Sequence, residues 1–149
     1  MSTDHWAASP NPSGVLAGGF SVGNAGIELR FPARPEFLGM IRLASTEFAA
    51  RMGFEPDVTA DFTMAVNEAC TAAVLAEGQL VLVSLRAVES CLEGEIIPLP
   101  GRGSRDWRNG YEALYSALVL YSLADVVQTD TREGPVVTRI SKTRLQQRR

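Results

Sequence analysis

The run "QLVLVSLRAV", residues 79–88, constrains the fold of this chain more than any other stretch. It is almost continuously apolar, rich in β-branched valine, and too short for a typical helix, so it predicts a strand in the middle of a sheet. "CLEGEIIPL", residues 91–99, follows after only Glu89 and Ser90 and predicts a second strand, with Glu93-Gly94 near its start. Upstream, "IELRFP" (27–32) alternates apolar and polar residues as a half-buried strand does. Downstream, Asp125–Asp130 and Val136–Lys142 flank "TREG" and predict a closing hairpin.

Helical patterns fill the intervals. Pro35 suits a first helical turn, and Phe37, Ile41, Ala44, Phe48 and Met52 recur at steps of three or four until Gly53 ends the run. A second helix is predicted from Pro56 to about Ala76, with Phe62, Ala65, Val66, Ala69 and Ala73 as its apolar stripe and Glu68 and Ala72 on a different face. Asn109 and Glu112 have capping-box spacing before a third helix, to about residue 124, that carries Tyr111, Leu114, Leu118 and Tyr121. The order β-α-α-β-β-loop-α-β-β defines the expected class. It is an α/β two-layer sandwich: a mixed, mostly antiparallel sheet of about five strands with three helices on one face. Phe37, Ile41, Phe48, Phe62, Val66, Val81, Val83, Leu118 and Val136 are the expected core.

With 149 residues the chain has the length of one domain. Residues 1–25, rich in Gly, Pro, Ser and Asn, predict a disordered tail, 26–143 the folded domain, and 144–149 a solvated basic tail. A net charge of −3 argues against direct nucleic-acid binding. The two cysteines, Cys70 and Cys91, form neither a disulfide framework nor a metal motif, and His5 is the one histidine, so no metal site is expected. A redox switch would need both thiols close in space. No signal peptide and no membrane-length apolar run is evident, which predicts a cytoplasmic protein without membrane contact.

The second helix carries the chemistry. "MAVNEACTAAVLAEG", residues 64–78, resembles the N-box of the anti-sigma factor and serine-protein kinase family of bacterial partner-switching systems, members of the GHKL ATPase superfamily with its Bergerat nucleotide-binding fold. Ala65, Val66, Glu68, Ala69, Thr71, Ala73 and Gly78 match the motif, and the ending "LYSLADVVQTDTREGPVVTRISK" is similar to the family's last helix and final two strands. The resemblance covers about residues 26–143. It implies that the chain binds an alternative sigma factor and a STAS-domain anti-anti-sigma factor, and it extends to the homodimers common in the family. It also implies that Glu68 stands where the family keeps its catalytic carboxylate.

The chain departs from the family at the nucleotide contacts. Ala72 takes the place of the asparagine that binds Mg²⁺ in the family, and a methyl group is no ligand for a hard cation. Pro98 and Pro100 in "EIIPLPGRG" stand where the family has a DxGxG-like motif, and no Asp is present there. The glycine turn that receives phosphate before the last helix keeps only Gly110. These departures predict a vestigial Glu68 and no cofactor, with Mg-ATP bound only if the degenerate site still functions. The alternative is an active ATP-dependent serine-protein kinase acting on its anti-anti-sigma partner.

Two further places are candidates for partner contact. Arg42, among Met40, Ile41 and Leu43, aligns with an arginine that family members use to contact both protein partners, and a guanidinium can grip a carboxylate with two parallel bonds. The loop "GRGSRDWRNG" lacks GxxxxGK[ST] and so is no P-loop, but Trp107 among Arg102, Arg105 and Arg108 suits an interface anchor as well as a solvated loop.

Overall fold

The computed structural model describes residues 24–75, 79–99, 119–130 and 137–144. Five strands form one sheet: β1 (Asn24–Pro32), β2 (Leu80–Val88), β3 (Cys91–Leu99), β4 (Val126–Asp130) and β5 (Val137–Thr143). Their order is β1-β2-β3-β5-β4, and all four pairings are antiparallel. The sheet therefore lies at the antiparallel limit of the mostly antiparallel expectation, because β5 returns between β3 and β4 and keeps those two like-directed strands apart. β1 starts at Asn24, ahead of the expected Ile27 and just inside the predicted tail, and pairs along its whole length with β2.

A 3₁₀ turn (Pro35–Phe37) leads into α1 (Leu38–Arg51), and α2 spans Pro56–Leu75. A glycine-based cap closes α1. Gly53 N–H donates to Ala50 O and Phe54 N–H to Ala49 O, and Gly53 adopts φ +79°, which a side chain would resist. The capped end places Phe54 in the core. Residues 119–123 are helical, and the predicted start of that helix lies outside the described residues.

β2 shows the layering most clearly. Val81, Val83, Leu85 and Ala87 are buried while the residues between them are half-exposed. The buried set faces one core that joins Ile41, Phe48 and Ala49 of α1, Phe62, Ala65, Val66 and Ala69 of α2, Leu92 and Ile96 of β3, Leu120, Ala124, and Ile140 of β5. Gly94 lets α2 approach the sheet: a Cβ there would stand 3.2 Å from Ile140 Cγ1 and 3.5 Å from Val66 Cγ2.

Ile41, Phe48, Phe62, Val66, Val81 and Val83 are buried as expected. Phe37 is only partly buried, because it sits in the 3₁₀ turn ahead of α1. Ser45 replaces it in the core and satisfies its hydroxyl on Ile41 O at 2.7 Å. Tyr121 corrects the phase of the last helix: it is 67% exposed, whereas Leu120 and Ala124 are buried. Leu118 and Val136 lie outside the described residues.

The opposite sheet face carries charge at its centre. The β1–β2–β3–β5 register places Glu28, Ser84, Glu95 and Arg139 in one row, and Arg86 beside Glu93 in the next. Arg139 Nε donates to Glu95 Oε2 at 2.9 Å, and Glu93 and Glu95 are only 9% and 8% exposed. At the other end of β5, Lys142 Nζ reaches Asp61 on α2 at 3.3 Å and Asp125 at 3.7 Å, tying helix and sheet together.

Candidate functional site

α2 holds the candidate chemistry because its two faces meet different surroundings. One side supplies the core. The other presents Met64, Asn67, Glu68, Thr71 and Leu75 along successive turns. Glu68 is half-buried and engaged by a partner. Ala72 does not share its exposure: it is 4% exposed, although it stands outside the main core cluster. Four residues apart, the two remain neighbours on α2, but only Glu68 keeps partial exposure.

Position 72 supplies no ligand for a Mg²⁺-bridged nucleotide. A hard cation needs oxygen ligands, and Ala72 offers a buried methyl group. Among the described residues no group of three His, Cys, Asp or Glu side chains is arranged to hold a metal. Pro98 is a strand residue, opposite Val81 in β2, and lies beyond Ile96, the last described β3 residue paired with β5.

Arg42 is exposed on α1, where its Nη1 donates to Asn67 Oδ1 on α2 at 3.0 Å. One turn further along each helix, the Thr46 and Thr63 hydroxyls meet at 3.1 Å. These two bridges fix the antiparallel register of the helices. Leu43 on α1 is 74% exposed and Met64 on α2 is 56% exposed. Met40 is exposed as well, so the outward side of the helix pair combines a cation with large apolar side chains. Sequence reasoning missed Asn67, Leu43 and Met64. Asn67 had no visible signal, but Leu43 and Met64 were detectable as apolar residues off the buried stripes. Trp107, Arg102, Arg105 and Arg108 lie outside the described residues.

The thiols are separated by the sheet. Cys70 is buried on α2, while Cys91 opens β3 on the opposite face, and both are free. Burial pushes the Cys70 thiol pKa well above its usual value of 9.0. Cys91 is also raised, first by burial and then by the charge of Glu93, while hydrogen bonds with Thr143, Ser141 and the Lys142 backbone oppose the shift. This geometry joins no pair of thiols for a redox switch.

An antiparallel sheet under a helix pair, with Glu68 on the second helix, is the arrangement in which this chain is similar to the anti-sigma factor and serine-protein kinase family. The relatives are specific. Over 48 residues, 32% of this chain and 30% of the relative, the sequence is 50% identical to the serine-protein kinase RsbW of Bacillus subtilis. The RsbW of Oceanobacillus iheyensis is 46% identical over the same length. The chain thus spans about a third of the length of the curated relatives it matches. A solved structure of the RsbU and RsbW domains of Rv1364c from Mycobacterium tuberculosis shares the fold, with a TM-score of 0.61 at 14% identity, covering 80% of this chain and 32% of that one. No family model matches the chain. No helix among the described residues is long and apolar enough to cross a membrane.

Proposed function

We propose that this chain is an anti-sigma factor that sequesters an alternative sigma factor and releases it when a STAS-domain anti-anti-sigma factor takes the same surface, without phosphoryl transfer. Ala72 carries this reading. Glu68 by itself can neither neutralise nor place a γ-phosphate, and the buried methyl at 72 removes a metal ligand from the same helix. Binding is then governed by mass action between competing partners, with affinity set by contacts and not by turnover. Arg42, with Leu43 and Met64 beside it, supplies what such a surface needs: a cation for a partner carboxylate and apolar anchors. Trp107 and Arg105 are further partner-contact residues in this reading. The protein works in the cytoplasm, as a homodimer, without touching nucleic acid or membrane.

A second reading is an active serine-protein kinase. Glu68 and the naming of the RsbW relatives as serine-protein kinases favour it.

One experiment separates the two. The purified chain is titrated calorimetrically with Mg-ATP, then with each purified alternative sigma factor and STAS-domain protein of its genome, and the mixtures are incubated with radiolabelled ATP. The expected result is heat with one sigma factor and one STAS-domain protein, mutual competition, and no labelled protein. A labelled STAS-domain protein would establish the kinase reading. Failure of every sigma factor to bind would overturn the sequestration reading.

A further inference from the structure

The Arg42–Asn67 bridge joins the proposed partner surface to the helix of the N-box, and the choice of an amide at 67 has a chemical consequence. A guanidinium carries five N–H donors in a fixed plane. Asn67 takes one of them at 3.0 Å. Its amide oxygen is neutral, so the cation is oriented while its charge stays whole. The other charges of α1 do not compensate it: Glu47 is held by Arg51 at 2.6 Å, and among the described residues Arg42 has no carboxylate within ion-pair distance. Gly39 leaves one flank of the guanidinium uncovered, since a Cβ there would be in van der Waals contact with Arg42 Nη2 at 3.6 Å. An aspartate at 67 would hold the guanidinium more tightly but would neutralise it.

We infer that Asn67 is a positioning residue. It holds the Arg42 guanidinium, undiminished in charge, over the α1–α2 seam for a carboxylate on the protein partner. The inference rests on the sequestration reading for the identity of that partner. The orientation itself rests on the Arg42–Asn67–Gly39 geometry. A neutral orienting group also serves selectivity. It favours an acidic partner over a neutral one by the full value of the cation, which an ion pair within the chain would cancel.

The test has two arms, both on the full chain. The first needs no protein partner: ¹⁵N NMR of the Arg42 side chain in wild type, Asn67→Ala and Asn67→Asp, with acetate as the carboxylate probe and thermal unfolding as the folding control. In wild type the Arg42 Nε–H signal is ordered and shifts with acetate. Asn67→Ala loses the order, and Asn67→Asp keeps the order but loses the acetate response. Equal Arg42 mobility in wild type and Asn67→Ala, or an unchanged acetate response in Asn67→Asp, overturns the inference. The second arm uses whichever sigma factor binds in the titrations above. Asn67→Asp lowers its affinity at least about tenfold, as expected for a close interfacial charge contact, and Asn67→Ala adds no further loss in an Arg42→Ala background. Additive losses in that cycle overturn the inference. Failure of all sigma factors to bind removes the sequestration reading, while the NMR arm still decides the positioning.

Discussion

The Arg144 guanidinium lies 4.1 Å above the centroid of the Phe54 ring. The same group donates through Nη1 to Gly53 O at 2.6 Å and through Nη2 to Met52 O at 3.2 Å, with Glu55 Oε1 3.5 Å away. One side chain from the end of β5 thus satisfies carbonyls at the C-terminal end of α1 and covers the buried ring that follows it. Arg144→Ala is expected to lower stability by about 1–3 kcal/mol, combining a lost helix-end cation, lost charged hydrogen bonds and lost cation–π contact. Arg144→Lys should recover only part, because an ammonium cannot fork across two carbonyls while stacking. Urea unfolding of the three proteins measures it, and equal midpoints would refute the clamp.

Gly94 leaves room for the Ile140 side chain of β5. Gly94→Ala places a methyl 3.2 Å from Ile140 Cγ1, so that side chain must give way, and the expected loss is about 1–3 kcal/mol. Ile140→Val in the Gly94→Ala background should restore only a small part of it, because valine removes Cδ1, 3.5 Å from the added methyl, and keeps a γ carbon at the closer contact. Paired thermal melts check both.

The Glu95–Arg139 pair should be sensitive to removal of one partner. Its side chains are 10% and 21% exposed. Arg139→Met leaves the Glu95 carboxylate buried without its guanidinium, and about 3 kcal/mol should be lost. Glu95→Leu combined with Arg139→Met should recover most of this, since an apolar pair has no charge to desolvate. A double-mutant cycle in denaturant gives the coupling directly.

Cys70 sets a limit on alkaline stability. Its folded pKa is raised by burial above the usual 9.0. The native state therefore holds the thiol proton more tightly than the unfolded chain does, and this contribution is complete below pH 9 and is lost as pH rises above it. The melting temperature should fall more steeply above pH 9 in wild type than in Cys70→Ala. Parallel slopes would contradict this. At pH 8 a thiol reagent should modify Cys91 slowly and Cys70 only on unfolding.

Ala72→Asn tests the proposed loss of the nucleotide site. The position is 4% exposed, so the larger amide is expected to destabilise by about 1–3 kcal/mol and to leave Mg-ATP binding undetectable. Calorimetry with the folded variant decides it, and measurable binding would show that the ligand position alone was missing.

The elements were legible where local pattern and burial agree. The apolar run of β2 and the amphipathic stripe of α2 fall within a residue or two of their predicted bounds. Lateral order was not legible, because nothing local to 137–143 says that β5 enters between β3 and β4. Side-chain exchanges escaped for a similar reason: Ser45 is buried only because its hydroxyl turns back on Ile41, and Tyr121 yields the core to Leu120. Glu93 and Glu95 look like ordinary solvated strand residues in one dimension, and only the register reveals their arginine neighbours. At the site, Glu68 and Ala72 were visible from motif spacing, whereas Asn67 became meaningful only when a second helix placed Arg42 against it.

The position of β5 bears on how long a copy of this protein survives. β5 is the one described neighbour of β4 and the second neighbour of β3. A degradation machine that pulls from the C-terminal side therefore meets Arg144 and then the strand whose removal opens the sheet at its interior. Extraction should be abrupt, with little partly trimmed product. Under the proposed sequestration, which acts by stoichiometry, cellular dose would then be metered in whole molecules, through the grip of a few residues at the end of the last strand.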